Sequence, residues 1–254
     1  MTTTQSNELA TFAHELADAA RDVLRKRFRN VVESELKEDE SPVTAVDREV
    51  EELLRARIRS RFPEHGIVGE EFGTESLEAE HVWILDPIDG TKAFASGKPL
   101  FGTLIGLFAA GRPKLGVIEC PATEDRWIGI HGAGAFFNGE PCRVRAPRTL
   151  DQSVLYTIVL DQPGYRALAA ASRWTVHDAD CYAYGLVANG TVDVVVEAGL
   201  GLYDVCALAP VVSEAGGVIR QWDGEPVRLS GYDGTIVAAS SEALAAEALA
   251  TLGS

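Results

Sequence analysis

The sequence contains few cysteines, and their spacing excludes two common uses of this residue. The four cysteines, Cys120, Cys142, Cys181 and Cys206, are widely separated and form no Cys-x-x-Cys pair. This spacing excludes a typical zinc ribbon and offers no disulfide framework, so we expect reduced, buried thiols in a cytoplasmic protein. Neither the cysteines nor the five histidines show a pairing that indicates a side-chain nucleophile.

Long apolar runs and leader signals are also missing from the sequence. No uncharged apolar stretch reaches the roughly 18 residues that a membrane-spanning helix requires. Residues 1–7 are polar, and no cationic segment followed by an apolar one precedes the first predicted helix. We therefore expect no signal peptide and no membrane partner.

Basic residues are scarce relative to acidic ones. The chain has 23 Lys and Arg against 38 Asp and Glu, which gives a net charge of −15. This balance argues against nucleic acid or an anionic membrane as partner. An anionic substrate such as a phosphate ester is compatible with it only if carboxylates hold divalent cations, because bound cations invert the local charge.

The hydrophobic pattern predicts an α+β fold of alternating helix and mixed-sheet layers. Hydrophobic residues make up 46% of the 254 positions, enough for a large core in one compact catalytic unit. The predicted elements are helices at 6–28 and 44–62, an antiparallel meander at 101–130, strands at 154–160, 192–197 and 236–239, helices at 182–188 and 205–214, and a final helix from Ser241. We divide them into an N-terminal α+β lobe over 1–150 and a C-terminal α/β lobe over 151–254.

The most informative segment reads Trp-Ile-Leu-Asp-Pro-Ile-Asp-Gly-Thr, at residues 83–91. Its apolar start predicts a buried strand that ends at Asp86, and the proline that follows turns the chain so that Asp86 and Asp89 lie close together. Gly90 and Thr91 then supply backbone N–H groups near a helix start, and such groups suit a phosphate. Hard oxygen ligands beside a phosphate cradle are what Mg²⁺ chemistry on a phosphate ester needs.

Further acids stand at the ends of other predicted elements. Glu70 follows a short apolar segment, and Asp204 directly precedes the predicted helix at 205–214. If these two converge with Asp86 and Asp89, they form an oxygen-only site for hard divalent ions. The backbone carbonyl of Ile88, exposed by the predicted turn, is a further candidate ligand.

Taken singly, each acid has an ordinary interpretation, since Asp204 could cap a helix and Asp47 could complete a capping box with Thr44. The combination, however, resembles the inositol monophosphatase family of magnesium-dependent phosphatases. The motifs that carry this resemblance are residues 83–96, Gly-Glu-Glu at 69–71, Ser-Pro-Val-Thr at 41–44 with Asp47, and Tyr203-Asp204 with Ala207 and Glu-Ala-Gly-Gly at 214–217. They stand in family order over residues 37–217, which is most of the chain.

The resemblance implies a layered αβαβα sugar-phosphatase-like fold with mixed, largely antiparallel sheets, and it implies a role for each matching residue. Two or three Mg²⁺ ions would be held by Glu70, Asp86, the Ile88 carbonyl, Asp89 and Asp204. The phosphate would be bound at Asp89, Gly90 and Thr91. The attacking water would be oriented by Asp47 and Thr91, with help from Glu70. The family is often dimeric, so the resemblance also allows a homodimer, for which the sequence shows no interface pattern.

Acids near the predicted substrate site indicate which phosphate ester is bound. Glu197 precedes Asp204 at the spacing at which inositol phosphatases have an acid that binds the substrate hydroxyls. The loop that those enzymes fill with small neutral residues contains Asp178 and Asp180 here. An ammonium group on the substrate would gain charge-assisted hydrogen bonds from these acids. Together with the run at residues 90–107, which resembles the histidinol-phosphate phosphatase branch, this predicts L-histidinol phosphate as substrate and a place in histidine biosynthesis.

Three other functions stay open. An inositol or broad sugar monophosphatase would use Glu197 to bind hydroxyl groups. A 3′-phosphonucleotide phosphatase is less favoured, because no basic or aromatic cluster marks an adenine site. A metal-binding scaffold without catalysis is the third, and the complete set of matching acids argues against it. Asp178 and Asp180 could also be no more than a solvated acidic loop.

Overall fold

The structure is a computed structural model that describes residues 3–30, 34–36, 42–157, 163–177, 179–229 and 231–253. The helices are α1 (Thr3–Arg27), α2 (Ala45–Arg61), α3 (Thr91–Ser96), α4 (Pro163–Ala171), α5 (Asp180–Ala188), α6 (Leu202–Glu214) and α7 (Glu242–Leu252), with a 3-10 turn at Leu150–Gln152. The strands are β1 (Ser34–Leu36), β2 (Pro42–Thr44), β3 (Gly66–Gly69), β4 (Gly73–Glu75), β5 (His81–Asp89), β6 (Gly102–Ala109), β7 (Arg112–Cys120), β8 (Asp125–Ile130), β9 (Gly134–Phe137), β10 (Glu140–Cys142), β11 (Val154–Tyr156), β12 (Trp174–Val176), β13 (Val194–Ala198), β14 (Val218–Arg220) and β15 (Thr235–Ala239).

Two sheets organise the molecule. The larger has the strand order β10-β9-β8-β7-β6-β5-β3-β4, and the smaller has the order β12-β11-β13-β15-β14, while β1 and β2 form a separate ribbon. Most neighbouring strands are antiparallel, whereas β3 with β5 and β11 with both its neighbours are parallel. The predicted antiparallel meander is confirmed, because β6, β7 and β8 pair in chain order.

Helices cover both sheets and fill the space between them. Helices α1 and α2 pack on the outer face of the larger sheet, and α4 and α7 pack on the outer face of the smaller one. Helices α5 and α6 lie between the sheets, in a core that includes Trp127, Tyr184 and Val195. The layers therefore follow the order αβαβα, which confirms the predicted fold class. No helix in the described ranges is long and apolar enough to cross a lipid bilayer.

The core between the sheets draws on residues from both sides of position 150, Trp127 and Tyr184 among them. The division into lobes over 1–150 and 151–254 stays a prediction. The 3-10 turn at Leu150–Gln152 stands at that position in the chain.

Capping interactions at the N-termini of α2 and α6 explain the positions of Asp47 and Asp204. Thr44 caps α2, with its hydroxyl accepting from the Val46 N–H at 3.1 Å, while Asp47 Oδ2 accepts from the Thr44 N–H at 2.8 Å. This arrangement confirms the predicted capping box. At α6 the Gly201 N–H donates to Asp204 Oδ2 at 2.5 Å, so an acid again satisfies a helix-terminal N–H group.

Three predicted element bounds are corrected. Strand β5 does not end at Asp86 but continues to Asp89 across a register shift between these two residues, so the proline is accommodated in a bulge rather than a turn. Helix α6 begins at Leu202, before Asp204. Asp204 therefore lies in the first turn of the helix, where its carboxylate accepts a hydrogen bond from the Gly201 N–H. Strand β11 ends at Tyr156, and positions 158–160 of the predicted strand lie outside the described residues.

Candidate active site

Two acids lie at the end of β5, on either side of its bulge. Asp86 is fully buried, and within the described residues its Oδ1 atom has no hydrogen-bond partner. Asp89 Oδ2 accepts a hydrogen bond of 2.5 Å from the N–H of Cys181, at the start of α5. The bulge therefore brings both carboxylates to one place, as the sequence predicted.

Asp204 joins these two acids from the first turn of α6. One carboxylate oxygen each from Asp86, Asp89 and Asp204 lies within 4.8 Å of the others. Burial, together with the charge of the neighbouring acids, raises the pKa of Asp89 and of Asp204 to about 7 and raises the pKa of Asp86 well above its usual value. Three like charges at this separation are stable together only when protons or a cation compensate them.

The donor chemistry of this cluster fits a hard divalent ion. Carboxylate oxygens are the ligands that Mg²⁺ prefers, and a buried carboxylate oxygen without a hydrogen-bond donor has lone pairs that a cation can satisfy. The Oδ1 atom of Asp86 is such an oxygen. The described residues therefore contain a site that Mg²⁺ would stabilise.

Glu70 adds a further carboxylate next to Asp86. It follows β3 directly, and its backbone N–H donates to the Leu85 carbonyl at 3.2 Å, which ties it to the neighbouring β5. Its side chain interacts with the Asp86 carboxyl group, and its charge contributes to the raised pKa of Asp86, Asp89 and Asp204. The structure thus brings together all of the acids that the sequence predicted to converge.

Thr91 connects this cluster to α2. Its hydroxyl lies 3.2 Å from Asp47 Oδ1 and 2.9 Å from the Ile88 carbonyl oxygen, in positions to donate to either acceptor. Burial raises the pKa of Asp47, although hydrogen bonds from Thr44 oppose the shift; the charge of Glu70 adds a smaller increase. The Ile88 carbonyl therefore lies beside the Thr91 hydroxyl, and its role as a metal ligand stays a prediction.

Gly90 precedes α3 and lies against Asp180. Its φ of 82° is in the left-handed region that favours glycine. A Cβ atom at this position would lie 2.8 Å from Asp180 Oδ2, so only glycine leaves room for that carboxylate. Because Thr91 is the first residue of α3, its N–H group has no acceptor within the helix.

Glu197 occupies the wall of the site formed by β13. It is buried, and its Oε2 atom accepts a hydrogen bond of 2.7 Å from the hydroxyl of Tyr184. Burial, with smaller contributions from the charges of Asp89 and Asp180, raises the pKa of Glu197 to about 8. Asp180 and Glu197 are therefore close enough to interact electrostatically, whereas Asp178 lies outside the described residues.

Comparison with known proteins identifies the family that shares these motifs. The model of the inositol monophosphatase family matches residues 5–254. The chain belongs to the inositol monophosphatase family. It is 44% identical over 230 residues to the Bifunctional phosphatase IMPL2, chloroplastic, of Arabidopsis thaliana, across 87% of this chain and 66% of that longer protein. It is 37% identical over 228 residues to the Histidinol-phosphatase of Chlorobaculum parvum, across 85% of each chain.

A solved structure shares the whole fold. An inositol monophosphatase from Zymomonas mobilis superposes with a TM-score of 0.89 at 38% sequence identity, and the match covers 100% of both chains. As a member of the inositol monophosphatase family, the chain is a phosphoric monoester hydrolase. Its relatives include phosphatases named for different esters, so family membership leaves the ester itself open.

Two residues that support the acids of the candidate site were not predicted from the sequence. Glu51, fully buried on α2, accepts hydrogen bonds from the backbone of the loop that follows β3. Tyr184 orients the carboxyl group of Glu197. Both stand four residues after a predicted site residue on the same helix, Glu51 after Asp47 and Tyr184 after Asp180. That spacing places Asp47 and Glu51 on one face of α2 and could have indicated Glu51, whereas Asp180, with a φ of 44°, does not share the helical backbone geometry of Tyr184.

Proposed function

We propose that this chain hydrolyses L-histidinol phosphate to L-histidinol and phosphate, by direct attack of water in a Mg²⁺-dependent reaction. The phosphatase chemistry rests on the convergence of Asp86, Asp89 and Asp204 within 4.8 Å. The choice of substrate rests on one observation, the placement of Asp180 against Gly90 at the phosphate end of the site. The likeness to a histidinol-phosphatase at 37% identity supports that choice.

In this proposal Mg²⁺ would be held by oxygen atoms of the acidic cluster and of residues next to it. The ligands would be Glu70, Asp86, the Ile88 carbonyl, Asp89 and Asp204, for two or three ions. When bound, Mg²⁺ would supply Lewis-acid activation of water and would neutralise charge on the phosphoryl and leaving oxygens. Without such a cation, the cluster would repel an anionic ester.

Thr91 and Asp47 would orient the attacking water. The Thr91 hydroxyl has one proton, and donating it to Asp47 or to the Ile88 carbonyl leaves its lone pairs free to accept a hydrogen bond from water. The raised pKa of Asp47 makes its carboxylate a better proton acceptor. These two residues therefore define the direction from which water reaches phosphorus, with Glu70 on the same side.

The phosphate would lie against the start of α3. The N–H groups of Gly90 and Thr91 point out of the first turn, where they are available to phosphoryl oxygens. Asp89, one residue earlier, would share the ion that contacts the same oxygens. This arrangement would place the phosphorus atom between the acidic cluster and Thr91.

The other end of the substrate would meet Asp180 and Glu197. In L-histidinol phosphate the ammonium group stands on the carbon next to the ester CH₂, so it lies close to the phosphate. Asp180, packed against Gly90, has the right position to receive it. An ammonium group near Glu197 would favour the charged form of this acid and lower its pKa from about 8.

Phosphate release from two esters tests the substrate assignment. With Mg²⁺ present, we expect kcat/KM for L-histidinol phosphate to exceed that for inositol 1-phosphate by about a hundredfold, which corresponds to about 2.7 kcal/mol in transition-state binding. The two esters are compared on the same enzyme preparation. An equal rate, or a preference for the inositol ester, would refute the histidinol assignment and leave the phosphatase chemistry intact.

The substitution Asp180→Asn tests the role of this acid at the start of α5. We expect kcat/KM for L-histidinol phosphate to fall about 10- to 100-fold, because a charge-assisted hydrogen bond to the ammonium group is lost. An aryl phosphate whose aryl group carries no charge serves as the matched control substrate. Its rate should stay constant or rise, since a negative charge near the phosphate is removed. An equal fall for both esters would contradict a role for Asp180 in binding the amine.

An inositol monophosphatase is the second candidate function. The observation that favours it is the match to the Zymomonas mobilis inositol monophosphatase over 100% of both chains. In this alternative, Glu197 and Tyr184 would bind ring hydroxyls rather than oppose a cation. The same two-ester assay distinguishes the alternatives.

A further inference from the structure

Helix α2 presents two buried acids, one turn apart, toward the candidate active site. Asp47 accepts hydrogen bonds from Thr44 and Thr91, which explains its burial. Glu51 stands four residues later, on the same helix face, and is also fully buried. A carboxylate is buried in a protein only when charge and hydrogen bonds compensate it, so its partners indicate what it does.

The Glu51 carboxylate holds the loop that carries Glu70. The Glu71 N–H donates to Glu51 Oε2 at 2.7 Å, and the Phe72 N–H donates to Oε1 at 3.2 Å. The Glu71 N–H belongs to the peptide unit that joins it to Glu70. The first of these hydrogen bonds therefore fixes the backbone on the C-terminal side of Glu70, while the Glu70 N–H is fixed by the Leu85 carbonyl.

Arg55 extends this contact to the far end of the loop. Its Nε atom donates to Glu51 Oε1 at 2.7 Å, and another of its N–H groups donates to the Gly73 carbonyl. Arg55 is itself buried, so the two opposite charges compensate each other away from water. Together, Glu51 and Arg55 clamp the backbone from Glu71 to Gly73 onto α2.

Gly69, the residue before Glu70, lies directly against the Glu51 carboxylate. A Cβ atom on Gly69 would lie 1.9 Å from Glu51 Oε1, closer than any real contact. The Glu51 carboxylate thus occupies the space that a side chain at Gly69 would need. The glycine at position 69 and the position of the Glu51 carboxylate therefore depend on each other sterically.

We propose that Glu51 is a positioning residue that holds Glu70 in the geometry needed to bind one of the Mg²⁺ ions. This inference rests on the metal-binding role of Glu70 in the proposed function. Glu51 touches neither substrate nor metal in this scheme, and it acts through the backbone of the Glu70 loop. Its effect is therefore on metal affinity rather than on chemistry at saturating metal.

Metal binding to the Glu51→Gln variant tests the proposal. Mn²⁺ is titrated by electron paramagnetic resonance without substrate, and phosphate release is titrated with Mg²⁺. We expect one ion to bind about 10- to 100-fold more weakly, as is typical when a group that supports a metal ligand is removed. The kcat at saturating Mg²⁺ and the KM for the ester should stay close to those of the unsubstituted chain.

The neighbouring exposed acid provides a matched control. Glu52→Gln removes the same charge from the same helix, but Glu52 is exposed and should leave Mn²⁺ affinity unchanged. Equal weakening in both variants would mean that the charge of α2 matters and that positioning by Glu51 does not. Unchanged Mn²⁺ affinity in a folded Glu51→Gln variant would overturn the proposal directly.

A second variant decides the matter if Glu51→Gln fails to fold. Gly69→Ala places a methyl group where the Glu51 carboxylate lies, so it should displace the carboxylate and weaken Mn²⁺ binding in the same way. Wild-type Mn²⁺ affinity in Gly69→Ala would overturn the proposal.

The binding titration also separates this inference from the proposed function. If the unsubstituted chain binds Mn²⁺ but releases no phosphate, the hydrolytic assignment fails, and the comparison of Glu51→Gln with Glu52→Gln still decides the role of Glu51.

Discussion

The Asp89→Asn variant should lose phosphatase activity almost completely while its metal-free form becomes more stable. An asparagine oxygen can still accept the hydrogen bond from the Cys181 N–H, so the local structure is preserved. It cannot supply the negative charge that the proposed Mg²⁺ site needs. We expect kcat/KM to fall about a thousandfold or more in a phosphate-release assay, because charge stabilisation in the transition state is lost.

The opposite effect on stability follows from the crowded acids. Because burial and the charge of Asp204 raise the pKa of Asp89 to about 7, keeping it ionised in the metal-free fold costs free energy at about pH 8. Removing this charge should raise the free energy of unfolding in EDTA by about 1–3 kcal/mol, measured by thermal or denaturant unfolding. Stabilisation by added Mg²⁺ should be largely lost in the variant.

Asp193 offers a matched control at a buried acid outside the site. It forms an ion pair of 3.0 Å with Arg145 and accepts a 2.8 Å hydrogen bond from the Val154 N–H. Asp193→Asn should therefore destabilise the protein by about 1–3 kcal/mol and leave kcat/KM nearly unchanged. If Asp89→Asn kept full activity, or if Asp193→Asn lost as much of it, the proposed metal site would be wrong.

The acids of the site could be predicted because each stands at a recognisable local signal. Asp86 and Asp89 end an apolar run, and Glu70 follows another. Thr44 and Asp47 form a capping box that sequence spacing alone predicts. That these positions converge in space was predicted from the resemblance to a family, because no local sequence pattern indicates it.

The groups that support these acids could not be predicted in the same way. Glu51 is explained only by its contacts with the backbone of Glu71 and Phe72, some 20 positions later in the chain. The bulge in β5 is visible only in its pairing with β6, where the register shifts between Asp86 and Asp89, and the start of α6 only in the hydrogen bond from the Gly201 N–H to Asp204. Short edge strands such as β12 and β14 were missed because three residues carry too little periodicity to indicate a strand.

Removal of Mg²⁺ should abolish activity reversibly. In excess EDTA we expect phosphate release to fall at least about a thousandfold, and addition of Mg²⁺ should restore it, since the proposed hydrolysis would depend on ions held at Glu70, Asp86, Asp89 and Asp204. EDTA saturated with Mg²⁺ beforehand controls for effects of the chelator itself. Full activity in excess chelator would exclude the proposed mechanism.

The same removal should reveal a pH dependence of stability whose sign follows from the pKa shifts. The pKa values of Asp89 and Asp204 are about 7 in the fold, above those of an unfolded chain. The protons therefore stabilise the metal-free fold below the unfolded pKa, and this stabilisation is lost as the pH rises through about 7. We expect the melting temperature in EDTA to fall between about pH 6 and about pH 8.

Bound Mg²⁺ should reverse that trend. The ion competes with protons for the same oxygens, so it binds more tightly once Asp89 and Asp204 are ionised. The rise in melting temperature on adding Mg²⁺ should therefore be larger at about pH 8 than at about pH 6. In Asp89→Asn one of the two groups no longer titrates, and the difference between the two pH values should shrink. A rise in melting temperature that is equal at both pH values, or larger at the lower one, would mean that these acids do not bind the ion.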